Sequence, residues 1–161
     1  MAYTIDRAGG QQIAETSTVK NCPLGTIVKG WDPTYGEGEF IYLQGIGSTV
    51  IGSIVQYDAN FLTALETTAL ATPKPNAVAM SANVANQYGW YQISGQAVAV
   101  KATATSFAAS AALAAGSGLA IVVASGLIIN GAIVVAAATN STGSTSVRVM
   151  INRPHGPSDV S

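Results

Sequence analysis

From Pro23 onward the apolar residues come in short runs closed by Gly, Pro, Asn or Asp, and these interruptions limit the fold more than any other feature. The runs include Thr26-Ile27-Val28, Glu39-Phe40-Ile41-Tyr42-Leu43, Thr49-Val50-Ile51 and Ser53-Ile54-Val55-Gln56-Tyr57. Ala77-Val78-Ala79-Met80, Gly89-Trp90-Tyr91-Gln92-Ile93 and Ala97-Val98-Ala99-Val100 continue the series. They are of strand length and β-branched or aromatic, and turn residues punctuate them. That pattern predicts an all-β (mainly β) chain: a single sandwich or barrel-like domain of short antiparallel strands. Gln96 to Lys101 and Thr145 to Ile151 alternate with a period of two, as half-buried strands do. Phe61-Leu62-Thr63-Ala64-Leu65-Glu66 fits one helical turn or a strand.

The boundaries follow from composition. Residues 1–22 are polar and without period, and read as an N-terminal arm or a loose first strand. Residues 23–153 form the β-rich domain. Pro154, Gly156 and Pro157 are expected to end the last strand, leaving 154–161 as a polar tail. Thr72-Pro73-Lys74-Pro75-Asn76 reads as a loop.

Only 9 % of the 161 residues are charged, against about 25 % in an ordinary domain. No Lys, Arg, Asp or Glu lies between Lys101 and Arg148. A neighbouring subunit, a bilayer, or a coat of hydroxyls and amides must replace the usual charged surface. Residues 118–138 are apolar enough to suggest a membrane span, but Ser125-Gly126 and Asn130-Gly131 interrupt them. Asn-Gly predicts a hairpin, with Leu127-Ile128-Ile129 and Ala132-Ile133-Val134-Val135 as its strands. The net charge of −1 gives no electrostatic argument for nucleic acid or an anionic membrane, and neither is expected as a partner.

No constellation for catalysis stands out, and the chain is read as a non-enzyme with no catalytic, cofactor or metal residues. His155, the only histidine, sits between prolines and reads as a solvated loop residue. Cys22, the only cysteine, reads as a small buried residue, and disulfides within the chain are excluded. Ser94-Gly95 follows a strand but lacks a nucleophile elbow. Glu37 and Glu39 flank Gly38 and share a face if extended, with a solvated turn the simpler reading; Asp58-Ala59-Asn60 reads as a turn. Asn140-Ser141-Thr142 matches a glycosylation acceptor, which matters only in a secreted protein. The first residues lack a basic start and an apolar core, so a reducing cytosol is the expected place of synthesis. In Tyr88-Gly89-Trp90-Tyr91-Gln92-Ile93, Tyr88, Trp90 and Gln92 would line one strand face and Tyr91 and Ile93 the other. One aromatic set would then fill the core and the other would anchor an interface.

The central segment resembles the head decoration, or cement, proteins of tailed phages. The residues that carry this are Gly38-Glu39-Phe40-Ile41-Tyr42-Leu43-Gln44-Gly45, Gly52-Ser53-Ile54-Val55-Gln56-Tyr57-Asp58 and Ala77-Val78-Ala79-Met80-Ser81. Gln87-Tyr88-Gly89-Trp90-Tyr91-Gln92-Ile93-Ser94-Gly95-Gln96-Ala97-Val98-Ala99 closes the series. The resemblance implies a β-rich protein on the outer face of a capsid. Its partners would be the major capsid protein and copies of itself, as a symmetric trimer or next a dimer, with no cofactor. Another phage subunit (tail or fibre) and a small glycan-binding module using Trp31, Trp90 and nearby tyrosines are the alternative expectations.

Overall fold

A computed structural model describes residues 4–5, 10–67, 74–103, 105–123, 127–139 and 145–159. The strands are β1 (Thr4–Ile5), β2 (Ile27–Asp32), β3 (Gly36–Gln44), β4 (Ile54–Tyr57), β5 (Thr63–Leu65) and β6 (Asn76–Ala79). They continue with β7 (Tyr88–Val100), β8 (Leu113–Gly116), β9 (Leu119–Val122), β10 (Leu127–Val134) and β11 (Ser146–Asp159). The described residues contain no helix. The chain is all-β, and the ladders between these strands are antiparallel.

Nine strands make one sheet, and β8 and β9 form a separate hairpin. The spine is β7, 13 residues long, which joins two of the expected runs into one strand. Its first half takes β3 on one edge, from Gln44 opposite Tyr88 to Glu39 opposite Ser94. On the other edge it takes β6, with Ala79 opposite Tyr91, and then β11, from Asn152 opposite Ser94 to Ser146 opposite Val100. The two halves meet at Gly95, at φ +97, which lies against the backbone of Glu37 and Gly38.

Both faces of the sheet are covered by the chain itself. Ala97, Ala99, Val147, Val149 and Ile151 alternate inward, as the period of two predicts, and meet Leu113, Ala115 and Ala120 of the hairpin together with Phe107. Small residues on both sides let the hairpin backbone come close. A second cluster gathers Ile41, Leu43, Val55, Ala77, Ala79, Tyr91 and Ile93. A third holds Phe40, Tyr42, Met80 and Trp90 under Ile13, with Cys22 and Leu24 at its margin.

Several expectations change. Residues 10–22 do not extend away as an arm: Gln11 and Ile13 are buried, and Ser17 bridges to Tyr88. Residues 1–3 and 6–9 lie outside the described residues. Trp90 and Tyr91 are both fully buried, so neither aromatic set faces outward. Thr49-Val50-Ile51 is a turn, not a strand, closed by the Ser53 hydroxyl accepting from the Val50 N–H at 3.0 Å. Within Phe61 to Glu66 no helical turn forms: Thr63–Leu65 is strand β5 and Leu62 bridges to Gln44.

Asn130-Gly131 does not make a hairpin. It lies inside β10, where Asn130 faces His155 and Ala132 faces Ile151. Residues 152–154 of β11 therefore bulge opposite Gly131 alone, whose φ of +75 serves the bulge rather than a turn. The same bulge absorbs Pro154, so β11 runs on to Asp159 and the expected strand end is displaced. The hairpin of β8 and β9 turns instead at Ser117-Gly118, which was not singled out from the sequence, with φ of 50 and 76, the two left-handed residues a tight hairpin turn needs. The described part of 118–138 forms β9 and β10, and no described helix is long and apolar enough to cross a membrane. Ser125-Gly126, Asn140-Ser141-Thr142 and Thr72-Pro73 lie outside the described residues.

Candidate functional site

Four charged groups of this sparsely charged chain, Lys29, Glu37, Glu39 and Arg153, come together at one place. Along β2, Lys29 and Trp31 are two residues apart and share a face; Lys29 stands opposite Glu39 and Trp31 opposite Glu37 on β3. Lys29 Nζ lies 3.0 Å from Glu37 Oε1. The hydrogen bond and charge of Glu37 raise the Lys29 pKa above its ordinary value. Arg153, on the β11 bulge, donates from Nη2 to Glu39 Oε2 at 2.8 Å. Ser94 sits between them, paired with Glu39 on one edge and Asn152 on the other. Lys29, Glu37, Gly38, Glu39, Ser94, Asn152 and Arg153 line an open cleft of about 380 Å³. Both ion pairs are open to solvent, which screens them and leaves each little weight in stability.

Trp31, paired across the ladder with Glu37 of the cleft lining, is 60 % exposed, whereas Trp90 is fully buried. Of the aromatic residues expected on a binding face, the structure leaves Trp31 outside and turns Trp90 into core. Glu37 and Glu39 are strand residues of β3, not a turn. Their spacing was visible in sequence. Arg153 was not, because it lies 114 positions from Glu39 and reaches it only through the bulge.

The other candidates stay apart. His155 is exposed on β11, opposite Asn130 and bridged to Pro75. Cys22 is half-buried, and burial pushes its thiol pKa up, away from a reactive thiolate. Asp58 accepts from the N–H groups of Asn60 and Leu62, the turn expected of it, and those bonds lower its pKa. Asp32 accepts from the N–H groups of Thr34 and Tyr35 in the β2–β3 turn. Glu66 is buried and hydrogen-bonded by the Asn76 amide. No group of three or more His, Cys, Asp or Glu that could hold a metal occurs among the described residues.

A second surface carries little charge, with Arg148, exposed two residues from Met150 on β11, as the charged group on its face. Ala112 bridges to Ile133, and Ile133 pairs with Met150, so the three form a row across the sheet. Ile133 is 44 % and Met150 40 % exposed, and Ala112 is exposed beside them. Ala108, Ala109, Ser110, Ser117 and Val122 add exposed methyl and hydroxyl groups from the same uncharged segment.

No protein-family model, curated protein or solved structure matches this chain.

Proposed function

We propose that this chain is a structural virion protein that binds the outer surface of a phage capsid and stabilises capsomer junctions by multivalent packing. The observation that carries the reading is the exposed, uncharged row of Ala112, Ile133 and Met150. Apolar side chains lined up on a strand face, with Arg148 as the exposed charge beside them, form a surface suited to burial against a neighbour. The resemblance of residues 38–101 to decoration proteins supplies the identity of that neighbour: the major capsid protein, together with copies of this chain in a trimer or, next, a dimer. Repetition on a symmetric lattice turns modest individual contacts into a large total. The role asks for no catalytic residue, cofactor, metal, nucleic acid or membrane.

The test is to add purified chain to phage heads assembled without it and to sediment the mixture. Saturable binding that survives about 1 M salt is expected, because apolar contacts escape ionic screening. Absence of binding, or rings and filaments formed by the chain alone, would favour a tail or fibre subunit instead.

A further inference from the structure

We propose that the cleft lined by Lys29, Glu37, Glu39, Ser94, Asn152 and Arg153 binds a neutral saccharide, with Trp31 as the stacking platform. This does not depend on the capsid reading. The platform comes first. A tryptophan 60 % exposed, cross-strand from Glu37 and on the same strand face as Lys29, is available for stacking. The C–H faces of pyranose rings lie well on indole, because the ring's negative face attracts the polarised C–H groups.

The walls come next. Two carboxylates, one ammonium and one guanidinium balance in charge, so neither an anion nor a cation is favoured. Sugar hydroxyls donate and accept at once, which matches carboxylate acceptors beside guanidinium and amide donors. The cleft, about 380 Å³, falls in the range of about 300–1,000 Å³ typical of small-molecule sites.

The placement of Arg153 is the third element. It has φ +45, a conformation that costs a side-chain-bearing residue energy, and it sits on the bulge opposite Gly131. Bulges re-aim side chains, and this one sets the guanidinium on Glu39. A straight β11 would not need that strained residue.

The experiment is saturation-transfer NMR on the full chain with maltohexaose, cellohexaose and chitohexaose at about 1–10 mM, the range for a weak site. A sulfated heparin hexasaccharide is run beside them. Acrylamide quenching gives a second readout, since Trp31 is accessible and Trp90 is not. The proposal expects transfer to at least one neutral sugar, about twofold weaker quenching of the accessible tryptophan, and loss of transfer in Trp31→Ala and Arg153→Met. Unchanged emission from Trp90 shows that the Trp31→Ala variant is folded. No transfer to any neutral sugar, transfer retained in Trp31→Ala, or binding of the sulfated sugar alone overturns it.

Discussion

The indole N–H of Trp90 donates to the backbone carbonyl of Gln11 at 3.0 Å, joining residues 79 positions apart. The Gln11 side chain continues the link: its Oε1 accepts from the Tyr42 hydroxyl at 2.6 Å, and its Nε2 donates to the Tyr88 carbonyl at 2.8 Å. The polar N-terminal stretch thereby closes the third core cluster. Gln11→Ala leaves the Tyr42 hydroxyl without this partner and costs about 1–3 kcal/mol. Urea unfolding followed by tryptophan emission measures it; an unchanged midpoint would show that residues 10–22 do not seal the core.

Asn83 is wedged against Gly45 and Gly89, which sit on and beside the β3–β7 ladder. A Cβ on Gly45 would stand 2.5 Å from the Asn83 Cβ, and one on Gly89 would collide with the Asn83 amide. Gly89→Ala is expected to destabilise by about 1–3 kcal/mol through overpacking. Adding Asn83→Ala should recover part of that loss, a coupling that a double-mutant cycle of thermal melts would read. Strictly additive effects would contradict the wedge.

The buried Tyr91 hydroxyl faces Asn83 and Thr63 without a well-formed hydrogen bond, and burial raises its pKa above 10.0. The folded chain thus keeps the proton at a pH where the unfolded chain releases it. The stability Tyr91 contributes is complete below about pH 10 and is lost as pH rises further. Tyr42 and Tyr57 are shifted in the same direction, so they retain part of the alkaline slope. Tyr91→Phe should flatten the fall in melting temperature between about pH 9 and 11 while changing neutral stability by no more than about 1 kcal/mol. An identical pH profile in the variant would count against it.

Ile133 is exposed and pairs across the sheet with exposed Met150. Ile133→Lys should leave the melt within about 0.5 kcal/mol of the parent, because no buried contact is lost. It should nevertheless weaken binding to phage heads at least about tenfold, since an ammonium would have to be desolvated at the contact. Sedimentation measures the second effect and calorimetry the first. Equal binding by the variant would move the contact surface elsewhere.

The strand content was legible because burial alternates where the sequence alternates: Ala97 and Ala99 face Val149 and Val147 across the ladder. Local signals misled where one residue type serves two geometries. Gly131 supplies a left-handed φ to a bulge as readily as to a turn, and only the partner strand decides. Pro154 reads as a strand end, yet the bulge accommodates it. The cleft was half legible. The spacing of two placed Glu37 with Glu39, Lys29 was not singled out, and Arg153 arrives through a long-range register shift that no local pattern encodes. The burial of Trp90 was hidden too, because its cover is the polar stretch around Gln11.

The capsid-binding role is tested most directly by comparing density maps of phage heads assembled with and without this chain. The account predicts difference density of the chain's size on the outer face, at the junctions between capsomers, with the sheet face bearing Ile133 and Met150 turned toward a neighbour. Identical head surfaces, or density confined to the tail or the capsid interior, would contradict it.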